Sequence, residues 1–157
     1  MPEDVVAKMR LHARRTYPDE CCGFLVAPAD PAETDRPRTI RSAEPTTNDF
    51  AGVKRRRFII RPEELLAAER ALSGTELLVA GFYHSHPDHP ARPSTFDQEH
   101  AWPWYTYLVL SVTATETPEI GAFELDAESG VFRAVPLVTT PNADARVTEN
   151  LSARGGR

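Results

Sequence analysis

Three of the five histidines of this 157-residue chain fall within six residues, in Gly81-Phe82-Tyr83-His84-Ser85-His86-Pro87-Asp88-His89. His84 and His86 stand two apart at the end of an apolar run. Side chains at i and i+2 of a strand point to the same face, roughly 6.5–7 Å apart at Cα, so two imidazoles can converge on one ion. Pro87 stops the strand just past them. Asp97 follows after a loop carrying Pro90 and Pro93. Two histidines and one carboxylate leave the fourth tetrahedral position open, which is the coordination of a catalytic zinc. A blander reading stands beside this one. Ser94-Thr95-Phe96-Asp97 is also a capping-box-like start for a short helix through Ala101, and a lone His-x-His is ordinarily a polar fringe. Together, with prolines between, the two features favour a metal.

The elements that must position these residues are legible as periodicity. Val5, Val6, Met9 and Ala13 recur at helical spacing after Pro2, predicting a helix to about Thr16 that Tyr17-Pro18 ends. Gly23 to Ala27 reads as a short buried strand, the Pro- and charge-rich segment after it as a loop, and Thr39 to Ala43 as a second strand. Glu44 to Gly52 reads as irregular. Phe58-Ile59-Ile60 suggests a strand. Pro62 with Glu63 and Glu64 opens a helix carrying Leu65, Leu66, Ala68 and Leu72, with Gly74 as its C-terminal cap. Leu77 to His84 and Tyr105 to Val112 are near-continuous apolar runs, the mark of central strands covered on both faces. Ile120 to Leu125 and Val131 to Val138 form a hairpin through Asp-Ala-Glu-Ser-Gly. These elements predict one α/β domain over residues 1–138, a central sheet with flanking helices. Residues 139–157 are polar and aperiodic, and are expected to be a disordered tail.

Composition narrows the partners. A net charge of −5 argues against nucleic acid, because phosphate binding wants a basic surface. No apolar run approaches the ~20 residues of a membrane helix, and the first residues lack a signal-peptide core. A cytoplasmic protein is expected. Cys21 and Cys22 are adjacent, so neither a disulfide framework nor Cys-x-x-Cys zinc spacing is present.

His84-Ser85-His86-Pro87, with Ser94 and Asp97 downstream, matches without a gap the motif of JAMM (MPN-plus) zinc metallopeptidases. Tyr17 to Leu25, with Glu20 ahead of a glycine-led strand, resembles the bacterial branch of that family. The similarity spans about Val5 to Val138. It implies a mixed β-sheet with flanking helices, a fold that zinc deaminases resemble, although their His-x-Glu and Pro-Cys-x-x-Cys are absent here. It implies His84, His86 and Asp97 as ligands of one Zn2+ per chain. Glu20 would take the proton of the attacking water and pass it to the leaving amine. The Ser94 hydroxyl would stabilise the tetrahedral oxyanion, a role worth ~3 kcal/mol in comparable sites. Asp19, one place off the matched register, is the competing base. The implied substrate is the bond after the C-terminal Gly-Gly of a ubiquitin-like or sulfur-carrier (ThiS/MoaD-like) protein, with release of cysteine or another adduct. Deconjugation of such proteins from target lysines is the alternative within the class. A catalytically silent MPN scaffold is the alternative outside it, disfavoured because all five motif residues are present.

The remaining features read more plainly. His89 is expected in solvent, His100 at the surface or behind the ligands, and His12 on the polar side of the first helix. The two cysteines read as packing. Lys54-Arg55-Arg56-Arg57 reads as a solvated run that could dock an acidic partner. Trp102, Trp104, Tyr105 and Tyr107 read as core, with a substrate-groove role second. Arg154-Gly155-Gly156-Arg157 resembles an unprocessed ubiquitin-like terminus, a weak signal in a polar tail.

Overall fold

The computed structural model describes residues 1–29 and 38–142. Within them the order is α1 (Glu3–Thr16), β1 (Cys22–Pro28), β2 (Ser42–Thr46), α2 (Pro62–Leu72), β3 (Leu77–Pro87), α3 (Thr95–His100), β4 (Thr106–Val112), β5 (Glu119–Leu125) and β6 (Phe132–Val135). The strands form one sheet in the order β2-β1-β3-β4-β5-β6. Every neighbouring pair is antiparallel except β3 and β4, which are parallel. That exception positions the site. Parallel neighbours cannot be joined by a hairpin, so the chain must cross over between Pro87 and Thr106. Helix α3 lies in this crossover, and the connection therefore brings Asp97 to the end of β3.

Helices cover both faces of the sheet. Val5, Met9 and Ala13 of α1 are buried against Leu25, Tyr83, Leu108 and Leu110. On the opposite face Leu65, Ala68 and Leu72 of α2 pack against a cluster with Phe24, Val79, Phe82 and Tyr107. Phe82 and Tyr83 thus belong to opposite faces. By the alternation of a strand, His84 and His86 fall on the α2 side and Ser85 on the α1 side. The architecture is the expected single α/β domain, a mixed sheet with flanking helices.

Several local expectations need correction. Strand β2 starts at Ser42 and runs through Pro45 to Thr46, later than the Thr39–Ala43 reading. It is an edge strand, where a proline removes no ladder hydrogen bond that a neighbour needs. Phe58-Ile59-Ile60 is not a strand. The Phe58 ring instead stacks on His84, centroids 4.5 Å apart, and Ile60 joins the apolar cluster under α2. Strand β3 continues through Pro87. Trp102 and Trp104 are 65% and 71% exposed, so only the tyrosines of that aromatic group are core. Thr140 is hydrogen-bonded to the start of the chain, its N–H donating to Met1 O (2.9 Å) and its carbonyl accepting from Glu3 N–H (3.0 Å). Residues 143–157, with the Arg-Gly-Gly-Arg end, and residues 30–37 of the expected loop lie outside the described residues. No helix among the described residues is long and apolar enough to cross a membrane.

His12 also departs from its expected place. Its Nδ1 shares a 2.9 Å hydrogen bond with the hydroxyl of Tyr83, whose ring crosses Gly23. A Cβ on Gly23 would collide with that ring and with the Glu44 carbonyl, so glycine is what lets Tyr83 lie flat across β1. Burial holds the His12 imidazole below its ordinary pKa. The unfolded chain then binds this proton more readily than the folded one, so the stability at stake is present above the ordinary imidazole pKa and is lost as pH falls below it. Replacement of His12 by Gln is expected to flatten the acid side of the stability curve. Urea midpoints at roughly pH 5 and pH 8 check this, and an equal acid loss in both proteins would remove His12 from the account.

Candidate metal centre

At the end of β3 two ring nitrogens face one another, His84 Nε2 and His86 Nε2 lying 3.0 Å apart. Asp97 Oδ2 completes a triangle at 3.4 Å from the first and 3.3 Å from the second. A tetrahedral zinc with bonds of about 2.0–2.1 Å sets its ligand atoms about 3.3 Å apart. The three edges match that spacing, and two imidazole nitrogens with one carboxylate oxygen are a donor set zinc accepts. The residues present therefore fit the ion. Among the described residues this is the cluster of His, Cys, Asp and Glu whose ligand atoms converge closely enough to hold a metal.

Two of the three candidate ligands, His84 and Asp97, are packed or hydrogen-bonded into place. His84 is 1% exposed and covered by the Phe58 ring. Asp97 Oδ2 accepts hydrogen bonds from the Ser94 backbone N–H (2.6 Å) and Ser94 hydroxyl (2.7 Å), while Ser94 Oγ accepts from Asp97 N–H at 3.2 Å. This reciprocal pair is the predicted capping box, and it holds the carboxylate toward the two histidines. Burial lowers the His84 pKa, keeping the neutral imidazole that metals bind. At His86 burial pulls the same way, but the Asp97 carboxylate beside it prevails and the pKa rises. Burial opposes ionisation of Asp97, yet the hydrogen bonds from both imidazoles hold its carboxyl well below the usual range.

Glu20 lies next to the triangle without joining it. It is 4% exposed, and burial, opposed by His86 and reinforced by Asp97, pushes its carboxyl up to about 8. A carboxyl so shifted is a stronger base than an ordinary glutamate. Its main chain is clamped on two sides, the N–H donating to Lys54 O at 2.9 Å and the carbonyl accepting from Asn48 Nδ2 at 3.1 Å. One residue on, Cys21 N–H donates to Ser85 Oγ (2.9 Å), and Ser85 N–H donates to Cys21 O (3.0 Å), joining the Glu20 segment to β3 between the two histidines. Asp19, the competing base, is exposed. Cys21 and Cys22 are buried and unpaired, and burial lifts the Cys21 thiol to about 11, which makes it a poor nucleophile.

Known proteins are similar to this chain in sequence and fold. Residues 2–126 match the family described as prokaryotic homologs of the JAB domain. The chain belongs to that family. Among curated relatives, the JAB-domain chain is 34% identical over 110 residues to a desampylase of Haloferax volcanii, covering 69% of this chain and 74% of that one. It is 30% identical over 125 residues to a CysO-cysteine peptidase of Mycobacterium tuberculosis, covering 78% and 79%. Among solved structures, a solution structure of a Desulfitobacterium hafniense protein superposes with a TM-score of 0.75 at 25% identity, covering 92% of this chain and 94% of that one. The fold is the JAMM/MPN architecture.

The JAB domain opens its site into a cleft of about 660 Å³ lined by Glu20, His86, Ser94 and Phe96, with Arg56, Arg57, His89 and Arg92 also on its wall. His89 is thus exposed at the mouth of the site. His100 is exposed too, its ring tilted against that of Phe96 with centroids 4.1 Å apart. The basic run divides by residue: Arg55 pairs with Asp88 at 2.6 Å, whereas Arg56 and Arg57 face the cleft. Sequence reasoning missed Asn48. It is buried, and its side chain donates to the carbonyls of Glu20 and Arg57 while accepting from the N–H groups of Phe50 and Ile59. All its hydrogen-bonding capacity serves to splice three loop segments. An asparagine in a stretch of Pro, Thr and Asp carries no periodic signal that would have marked it.

Proposed function

We propose that this JAB-domain protein is a zinc-dependent peptidase that cuts the bond after the C-terminal Gly-Gly of a ubiquitin-like or sulfur-carrier protein, releasing cysteine or another adduct. The observation that carries the reading is the triangle of His84, His86 and Asp97 beside a buried, raised-pKa Glu20 on the wall of an open cleft. His84, His86 and Asp97 would hold one zinc, which when bound lowers the pKa of water to about 7 and polarises a carbonyl. Glu20 takes the proton from the attacking water and returns it to the leaving amine. Ser94 donates its hydroxyl proton to Asp97 Oδ2 here. To stabilise the oxyanion it turns that proton into the cleft, keeping its backbone N–H on Asp97. A cytoplasmic setting fits the adjacent unpaired thiols.

The relative named CysO-cysteine peptidase supports release of a single amino acid. Deconjugation from target lysines is the second reading, carried by the relative named desampylase. The retained Glu20, His84, His86, Ser94 and Asp97 weigh against a silent scaffold. The zinc-loaded protein, incubated with carriers ending in Gly-Gly-Cys and with Gly-Gly isopeptides of lysine, tests the readings by product mass. Intact carriers throughout would overturn the peptidase reading. Replacement of the last carrier glycine by valine is expected to lower kcat/KM by about 100-fold or more, because a branched side chain clashes where a slim extended glycine fits. Comparable rates on both carriers would refute a narrow diglycine groove.

A further inference from the structure

The cleft is basic in a chain of net charge −5. Three of its lining side chains are arginines, and Glu20 is the one carboxylate among the residues that line it. Among the described residues, the guanidinium groups of Arg56, Arg57 and Arg92 meet no carboxylate, unlike those of Arg55, Arg61 and Arg133. Arg57 differs from the other two in being fixed at both ends. Its carbonyl accepts from Asn48 Nδ2 at 3.0 Å, and the same amide group holds the carbonyl of Glu20. Its guanidinium carbon lies 4.6 Å from the centre of the ring of Phe96, the residue that precedes Asp97 in sequence. No carboxylate claims its N–H groups there, and a guanidinium can meet a planar carboxylate with two parallel hydrogen bonds.

We propose that Arg57 is a specificity-determining residue that binds the free α-carboxylate of a one-residue leaving group, with Arg56 and Arg92 adding to the positive field. This rests on the peptidase reading above and narrows it. When a single amino acid follows the scissile bond, its carboxylate carbon is two bonds from the leaving nitrogen and must enter the same cleft. A lysine isopeptide presents a methylene chain at that place, and an amidated terminus presents no charge. The protein is therefore built to release an amino acid from a carrier rather than a carrier from a lysine.

The test compares three peptides carrying the same Gly-Gly segment, ending in cysteine with a free carboxylate, in cysteine amide, or in an isopeptide bond to lysine. The zinc-loaded wild type is expected to favour the free acid over the amide by about 10-fold or more in kcat/KM, the lower end for a charge-assisted pair in an exposed cleft. Added salt should shrink that preference. Arg57→Gln should lose it through the free acid alone, with zinc content unchanged, and Arg57→Lys should recover part of it. Arg55→Gln, whose parent side chain is paired with Asp88, should keep it. Equal rates on acid and amide in the wild type, or a preference that survives Arg57→Gln, would overturn the assignment. Calorimetric binding of the acid and the amide to the Glu20→Gln protein decides the matter without turnover. Tighter binding of the acid, lost when Arg57→Gln is added, supports the carboxylate site even if no peptide is cut, in which case the peptidase reading alone fails. Equal binding overturns the site.

Discussion

Exchange of Glu20 for glutamine is expected to leave one zinc per chain and an intact fold while turnover falls by about 100- to 10,000-fold. The side chain lies beside the three converging ligand atoms but is not one of them, so its loss should not release the ion. Its anchors to Lys54, Asn48 and Ser85 run through main-chain atoms of residues 20 and 21, and glutamine preserves them along with the buried volume. What glutamine cannot do is accept a proton. A second effect has a definite sign. Because the folded carboxyl titrates near 8, the metal-free protein is penalised as pH rises from the ordinary carboxylate range toward that value, while the unfolded chain ionises freely. Glu20→Gln removes the penalty, so the metal-free variant should gain stability relative to wild type on the alkaline side. Metal analysis, thermal melts across pH and product mass measure the three quantities. Zinc loss would place Glu20 among the ligands, and unchanged turnover would end its role as base.

Replacement of His84 by alanine is expected to remove the zinc and, with it, all measurable turnover. Loss of a partner behind a ligand costs about 10- to 100-fold in metal affinity, and loss of one of only three protein ligands should exceed that. His84 is also a packed residue, 1% exposed and stacked on Phe58, so its truncation leaves a void as well as a missing donor. Asp97→Asn separates the two causes. It keeps the volume and an acceptor for the Ser94 N–H, and it should lose zinc with the fold retained. Metal content after dialysis, read beside near-ultraviolet circular dichroism, gives the result. Full zinc in either folded variant would show that the ligand set is wrong.

The candidate ligands were legible because each lies where a local rule makes it visible. His84 and His86 end an apolar run with the spacing of one strand face, and Asp97 closes a capping box three residues after Ser94. Glu20 has no such local mark, and only the family resemblance distinguishes it from Asp19. The structure separates the pair by burial, which no single turn of sequence encodes. Phe58 misled because three consecutive apolar residues look like a strand whether they pair or merely cover a ring. Trp102 and Trp104 misled because aromatic character does not say which side of a crossover faces water. Asn48 and Arg57 were illegible as a pair. Their role comes from carbonyl contacts between loops nine residues apart in sequence, and hydrogen bonds to main-chain oxygens leave no trace in residue type.

Asp97 Oδ2 is at once the cap of α3 and a corner of the ligand triangle. A six-residue helix has little intrinsic stability in water, so this one persists through its cap and its neighbours. An ion held by the triangle would consequently be linked to the helix by mass action: whatever frays α3 would raise the entropy lost on capturing metal, and metal binding would slow the exchange of the amide hydrogens that α3 protects. Under the proposed zinc reading, the affinity for the ion would thus be a gauge of how well this short helix is wound.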